Sequence, residues 1–150
     1  MGDRRRLSGS MHISAIETTD ARVFAALGGA MYAIVVLSWF LSVGVHFSSQ
    51  DGAAIAFAFA YSLVGLFLTA AVPLYLFGRF SLVSSPLATL WVFTETVSQW
   101  LYGAHPHPLS SYLTVWPILL GFVLAITLGE AVLRVGLDHA LGRFGLRPVF

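Results

Sequence analysis

Four long apolar segments alternate with short polar segments along the chain, and this pattern predicts four membrane-spanning helices. A helix rises ~1.5 Å per residue, so about 20 residues cross a hydrocarbon core of about 30 Å. The third segment has 17 residues and lies at the lower limit of that range. The predicted spans cover residues 23–45, 53–77, 86–102 and 112–133. We therefore expect an all-α, polytopic integral membrane protein whose four helices form a compact bundle.

Polar sequence on both sides bounds a transmembrane domain of residues 20–133. Residues 1–19 are expected to form a cytoplasmic N-terminal tail, in which Met11 is an alternative start to Met1. In residues 134–150, apolar positions recur at helical spacing, with charged positions elsewhere on the wheel. That spacing predicts a short interfacial helix followed by a cytoplasmic tail.

Details inside the predicted spans indicate how the helices bend and pack. Proline lacks a backbone N–H, so Pro73 predicts a kink near Thr69. Two rows of small residues at four-residue spacing would let another helix approach closely, although they also fit ordinary alanine and glycine richness. The rows are Ala25, Gly29 and Ala33 in the first span and Gly121, Ala125 and Gly129 in the fourth.

Composition supports the membrane interpretation and excludes several kinds of chemistry. Of the 150 residues, 57% are hydrophobic and 10% charged, whereas soluble domains carry about 25% charged residues. No cysteine is present, which excludes disulfides, thiol nucleophiles and thiolate-bound clusters. No lysine is present either, so a Schiff base is excluded, and arginine as the only strong base fits a GC-rich prokaryotic genome. The net charge of +1 is too small to suggest nucleic-acid binding, and the apolar composition makes the lipid bilayer the expected partner.

The arginines predict the orientation. Four spans place both termini on one side, and all eight arginines then fall on that side. Because positively charged loops stay in the cytoplasm, both termini are expected on the cytoplasmic side of the cell membrane. These residues are Arg4, Arg5, Arg6, Arg22, Arg79, Arg134, Arg143 and Arg147.

Glu95 near the middle of the third span is the strongest candidate for chemistry. At 100° per residue it shares an arc of about 100° with Trp91, Ser98, Gln99 and Tyr102. We expect this polar stripe to face the bundle interior, because a charged group at the bilayer centre costs roughly 2.5–3.5 kcal/mol. Two interpretations are open: a proton or cation site, or a protonated acid whose hydrogen bonds fix helix packing.

Glu130 is the second candidate, in the last turn of the fourth span and four residues before Arg134. Glutamate before arginine at this spacing favours an ion pair on a helix. The alternative places Glu130 at the cytoplasmic mouth of a path that includes Glu95.

Histidines form a third candidate at the outer face, where His46, His105 and His107 are expected near Asp51. Imidazole and carboxylate groups are ligands of Zn²⁺, Cu²⁺ and Ni²⁺, but the spacing is not specific. A pH sensor or a solvated loop explains the same residues. No histidine lies in the middle of a span, so haem is not expected, and no other cofactor is predicted.

Two functional hypotheses follow, neither of them enzymatic. An enzyme acting on lipid comes third, because no nucleophile–base set or phosphate loop is visible. The first is an accessory, assembly or scaffold subunit of a larger membrane complex, or a homo-oligomer. The second is a small transporter or channel in which Glu95 binds a proton or cation. A polar path from Glu95 to both faces would favour transport, and outward packing surfaces without such a path would favour the subunit.

Overall fold

A computed structural model describes residues 4–47, 50–103 and 108–141, with side chains for residues 20–47, 50–103 and 108–139. These residues form four α-helices, and none of them lies in a strand. The helices are α1 (Arg4–Ser42), α2 (Gly52–Phe80), α3 (Ser84–Tyr102) and α4 (Pro108–Leu141).

Three of the four helices are long and apolar enough to cross a membrane, which indicates a membrane protein. The candidate spans are Asp20–Ser42 in α1, Gly52–Phe80 in α2 and Pro108–His139 in α4. The remaining helix, α3, has 19 residues and is not among the candidate spans. Its polar positions, chiefly Glu95 and Gln99, lower its hydropathy.

Two helices extend well beyond the apolar segments from which we predicted them. The backbone of α1 is helical from Arg4, inside the predicted tail. The last helix, α4, continues without interruption to Leu141, where a separate interfacial helix was predicted, and residues 142–150 lie outside the described part. Hydropathy locates the edge of a hydrocarbon layer, whereas helical hydrogen bonds continue through any polar sequence that lacks a terminating residue.

The last helix, α4, starts four residues before the fourth predicted span, which begins at residue 112. The helix begins at Pro108, because proline fits the first turn, where its missing N–H has no helical partner. The start of α2 is capped by Asp51, whose side-chain oxygen accepts the N–H of Ala53 at 2.9 Å.

Gly44 ends α1 in a Schellman motif. Its φ of +96° lies in the left-handed region that favours glycine. The N–H of Gly44 donates to Leu41 O at 3.3 Å, and the N–H of Val45 donates to Phe40 O at 3.0 Å. These two bonds satisfy carbonyl groups that the last turn would otherwise leave unpaired.

The first row of small residues is the contact surface between α1 and α2. Ala25 and Ala33 are buried, and Gly29 lies between them on the same face. A methyl group at Gly29 would lie 2.7 Å from Ala71 Cβ and 3.0 Å from Phe67 O. The two helix backbones therefore approach each other closely at this glycine.

Pro73 is buried in α2, and α3 supplies a hydroxyl near the carbonyl group that this proline leaves without a helical donor. That carbonyl belongs to Thr69, and the Thr89 hydroxyl donates to it at 3.4 Å and to Ser85 O at 3.2 Å. A shared hydroxyl thus links α3 to α2 at the position where we predicted a kink. The kink itself stays a prediction.

The helices α3 and α4 run antiparallel. Ser84, at the start of α3, contacts Glu130 near the end of α4, while Trp91 packs on Phe122 about two turns further along each helix. This pairing places Trp91, at one end of the predicted polar stripe, beside α4.

Candidate functional site

The packing of α3 is determined by a face of small residues. Ser85, Ala88, Thr89 and Val92 are buried and follow one another at helical spacing. Small side chains let α3 lie close to its neighbours, and helix packing in lipid depends on such close contact. The opposite side of α3 is therefore left at the surface of the bundle.

The predicted polar stripe of α3 lies on that surface, which corrects the expectation that it faces the bundle interior. Glu95, Ser98 and Gln99 are exposed, as is Tyr102 at 86% and Trp91 at 58%. The prediction assumed that the most polar face of a membrane helix turns inward. Here the face of small residues packs more closely and takes the inner position.

Glu95 and Gln99 form one hydrogen-bonded pair on this surface. The Gln99 amide Nε2 donates to Glu95 Oε1 at 2.9 Å. A carboxylate has two acceptor oxygens, and a carboxamide has two N–H donors and one acceptor oxygen. The pair therefore keeps hydrogen-bonding capacity for a further molecule. Ser98, between the two residues in sequence, adds an exposed hydroxyl.

The interior within one turn of Glu95 is aromatic. Phe93 of α3 stands edge-to-face against Tyr32 of α1 and Tyr112 of α4, with ring centroids 5.9 and 6.0 Å apart. Phe40 packs on Tyr112 at 6.1 Å. A tyrosine this close to the start of a membrane helix is typical of an interfacial aromatic belt, but Tyr112 is only 1% exposed and belongs to the core.

The two tyrosines satisfy each other inside this cluster. Their hydroxyl oxygens lie 2.8 Å apart, joining α1 to α4. A buried phenol needs a hydrogen-bond partner, but no spacing pattern predicts a pair 80 residues apart. This part-buried contact between α1 and α4 could not be predicted from the sequence.

Replacing Tyr112 with phenylalanine should lower the free energy of unfolding by about 1 kcal/mol, because Tyr32 then keeps an unpaired hydroxyl. The double variant Tyr32→Phe/Tyr112→Phe should be less destabilised than the sum of the two single variants. Reversible unfolding in mixed detergent micelles measures this double-mutant cycle. Strict additivity would mean that the two hydroxyls do not interact.

Glu130 and Arg134 of α4 form an ion pair beside the start of α3. Arg134 Nη2 lies 2.5 Å from Glu130 Oε1, and the other carboxylate oxygen accepts the N–H of Ser84 at 2.8 Å. Val83, at the N-cap position of α3, makes no side-chain cap. Glu130 therefore caps α3 from a neighbouring helix, and both of its oxygens are engaged.

Of the four predicted metal ligands the structure describes His46 and Asp51, and each of these makes a local contact of its own. His46 contacts its own loop, with Nδ1 2.5 Å from Gly44 O, while Asp51 caps α2. His105 and His107 lie outside the described residues. Within the part of the chain that the structure describes, no group of three or more potential ligands is close enough to hold a metal ion.

The second row of small residues faces outward on α4. Gly121, Ala125 and Gly129 are exposed, and a methyl group at either glycine would meet nothing within 4 Å. This row makes none of the helix contacts that Gly29 makes in α1. It stands on α4, the helix against which Trp91 of the polar stripe packs through Phe122.

Comparison with protein-family models, with curated protein sequences and with solved structures gives no match to this chain. The functional interpretation therefore depends on the geometry of the bundle and its surface.

Proposed function

We propose that this protein is a non-enzymatic accessory, assembly or scaffold subunit of a complex in the cell membrane. The observation that carries the proposal is the outward position of the polar stripe on α3. Hydrocarbon tails offer no hydrogen bonds, so a carboxyl and a carboxamide on the outer face of a membrane helix favour contact with another protein. A subunit needs such a contact, and an isolated bundle does not.

We further propose that α3 also spans the membrane, which gives four spans in all. Its 19 residues correspond to about 28 Å at ~1.5 Å per residue, close to the hydrocarbon thickness of about 30 Å. It packs against α2 through Thr89 and against α4 through Trp91, and both neighbours are candidate spans. A partner that covers its polar face would account for a spanning helix of such low hydropathy.

The proposed orientation has both termini in the cytoplasm. The contact between Glu130 and Ser84 places Arg134 at the end of the bundle where α2 leads into α3, and Arg79 is in the last turn of α2. The arginines of two separate helices therefore gather at one end. Positive charge retained in the cytoplasm supports this orientation.

The interior gives less support to the transporter alternative. The buried hydroxyls of Ser62, Thr69 and Thr127 each donate to a carbonyl group of their own helix, so they do not form a chain. Aromatic rings fill the core next to Glu95. Among the described side chains we find no polar line from Glu95 through the bundle, and the subunit is therefore the better supported function.

Liposomes carrying an imposed pH gradient test this choice. The wild-type protein and the Glu95→Gln variant should both leave the proton flux at the level of protein-free liposomes, because Glu95 lies outside the core. Glutamine keeps the shape of the side chain and removes only its charge, so it is a matched control. A flux that the wild type supports and Glu95→Gln abolishes would favour the transporter instead.

The subunit proposal is tested by particle mass. Protein extracted from its own membrane in a mild detergent should run as a particle larger than one chain. The double variant Glu95→Leu/Gln99→Leu should shift it toward the monomer, whereas Ser38→Leu on the exposed surface of α1 should not. A wild-type protein that is monomeric under gentle extraction would contradict the proposal.

A further inference from the structure

We propose that the polar stripe of α3 is a two-fold contact between two copies of this chain, in which Gln99 of each copy donates to Glu95 of the other. The inference rests on the proposed function and names the partner that covers this surface.

The first support is the hydrogen-bonding capacity of the pair. Within one chain, Gln99 Nε2 donates to Glu95 Oε1 at 2.9 Å, which uses one amide hydrogen and one carboxyl oxygen. A second amide hydrogen, the amide oxygen and Glu95 Oε2 remain for an outside partner. The bond inside the chain also shows that these two groups match each other as donor and acceptor.

The second support is symmetry. Two copies inserted in the same direction present Glu95 and Gln99 at the same depth, and a two-fold axis along the membrane normal brings each pair against its equivalent. Such an isologous contact makes every bond twice, so a modest hydrogen bond is doubled. Ser98 lies on the same surface and is small enough to let the two α3 helices approach.

The third point is which group of a second copy could bond to Glu95. No arginine lies between residues 80 and 133, so a second copy brings no positive charge to the level of Glu95. The contact instead needs hydrogen-bond donors at that depth, and Gln99 supplies them. Trp91 and Tyr102 border the pair on the same surface with broad apolar rings, which would exclude lipid from the contact.

The natural absence of cysteine makes a direct test available. Ser98→Cys places one thiol on the proposed contact, and Ser38→Cys places one on the exposed surface of α1. Trp39 and Trp100 touch at 5.6 Å, so the two positions lie at similar depth and match in original residue and exposure. After oxidation in phospholipid vesicles, Ser98→Cys should give a disulfide-linked dimer at least about tenfold faster than Ser38→Cys. Equal rates would overturn the inference.

A second variant tests the hydrogen bond itself. Gln99→Leu keeps an exposed side chain of similar size, so folding should be unaffected. Because two bonds are lost by symmetry, the dissociation constant in vesicles should rise about tenfold or more, measured by single-molecule photobleaching. The control substitution Ser38→Leu should leave the dissociation constant unchanged. An unaltered dissociation constant in Gln99→Leu would overturn the assigned bonds.

A photoreactive side chain at position 98 in the native membrane separates this inference from the proposed function. An adduct of two copies supports both. An adduct of one copy with a different protein overturns the second-copy contact while supporting the subunit role. Absence of any protein adduct overturns both.

Discussion

Replacing Gly29 with alanine should lower the free energy of unfolding by about 1–3 kcal/mol, although alanine is the better helix former. The added methyl group would meet Ala71 Cβ at 2.7 Å and Phe67 O at 3.0 Å. One of these atoms is backbone and the other is fixed directly to it, so neither can rotate away. The helices α1 and α2 must therefore move apart and lose contact along the row that Ala25 and Ala33 complete. Reversible unfolding in mixed micelles measures the loss.

Gly121→Ala is the matched control, because Gly121 also lies inside a spanning helix but has open space where its Cβ would stand. There alanine should raise the stability of the bundle by up to about 1 kcal/mol through helix propensity alone. The two substitutions add the same methyl group and should differ in sign. If both stabilise the protein, the close contact at Gly29 does not hold the helices together.

The positions of the three apolar spans could be predicted from hydropathy, because the cost of exposing polar backbone and side chains to lipid determines them. The ends of the helices could not. Proline favours the start of a helix and glycine favours its end, so Pro108 and Gly44 are visible signals in the sequence. Only the structure shows that α4 starts at this proline and that α1 stops at this glycine. Thr18, Thr19 and Asp20 are residue types that could cap a helix start, yet α1 continues through them from Arg4.

The main error in the prediction was which side of α3 faces the bundle interior. Two stripes of residues on this helix compete for that position. One stripe is polar and contains Glu95; the other is small and contains Ala88 and Thr89. Exclusion of polar groups from lipid favours the first stripe inside, while close packing favours the second. A single sequence does not show whether a partner covers the polar stripe, so the choice could not be made from hydropathy. The spacing of the small residues was the available signal.

Tyr112 and Glu130 show a second limit. A tyrosine near a helix end usually marks the membrane interface, but Tyr32 supplies a hydroxyl that lets this one enter the core. The pairing of Glu130 with Arg134 follows from i, i+4 spacing, whereas its bond to Ser84 joins residues 46 positions apart. Contacts along one helix can be predicted from spacing; contacts between helices need the fold.

Replacing Glu130 with alanine should lower the free energy of unfolding by about 1–3 kcal/mol. One carboxylate oxygen caps the first turn of α3 through the Ser84 N–H at 2.8 Å, and no side chain at Val83 does so. The negative charge also faces the positive end of the α3 dipole. Its other oxygen holds Arg134, whose side chain is 27% exposed and would lose its ion partner. Unfolding in mixed micelles, compared with the wild type, gives the change.

Two further variants separate the cap from the ion pair. Arg134→Ala removes the ion pair alone and should cost less than about 1 kcal/mol, because partly exposed pairs contribute little. Glu130→Gln keeps an oxygen that can accept the Ser84 N–H but loses the charge, so its stability should fall between Glu130→Ala and the wild type. If Glu130→Ala and Arg134→Ala cost the same, the bond to Ser84 contributes nothing. If stability rises in the order Glu130→Ala, Glu130→Gln, wild type, a residue of α4 stabilises the start of α3.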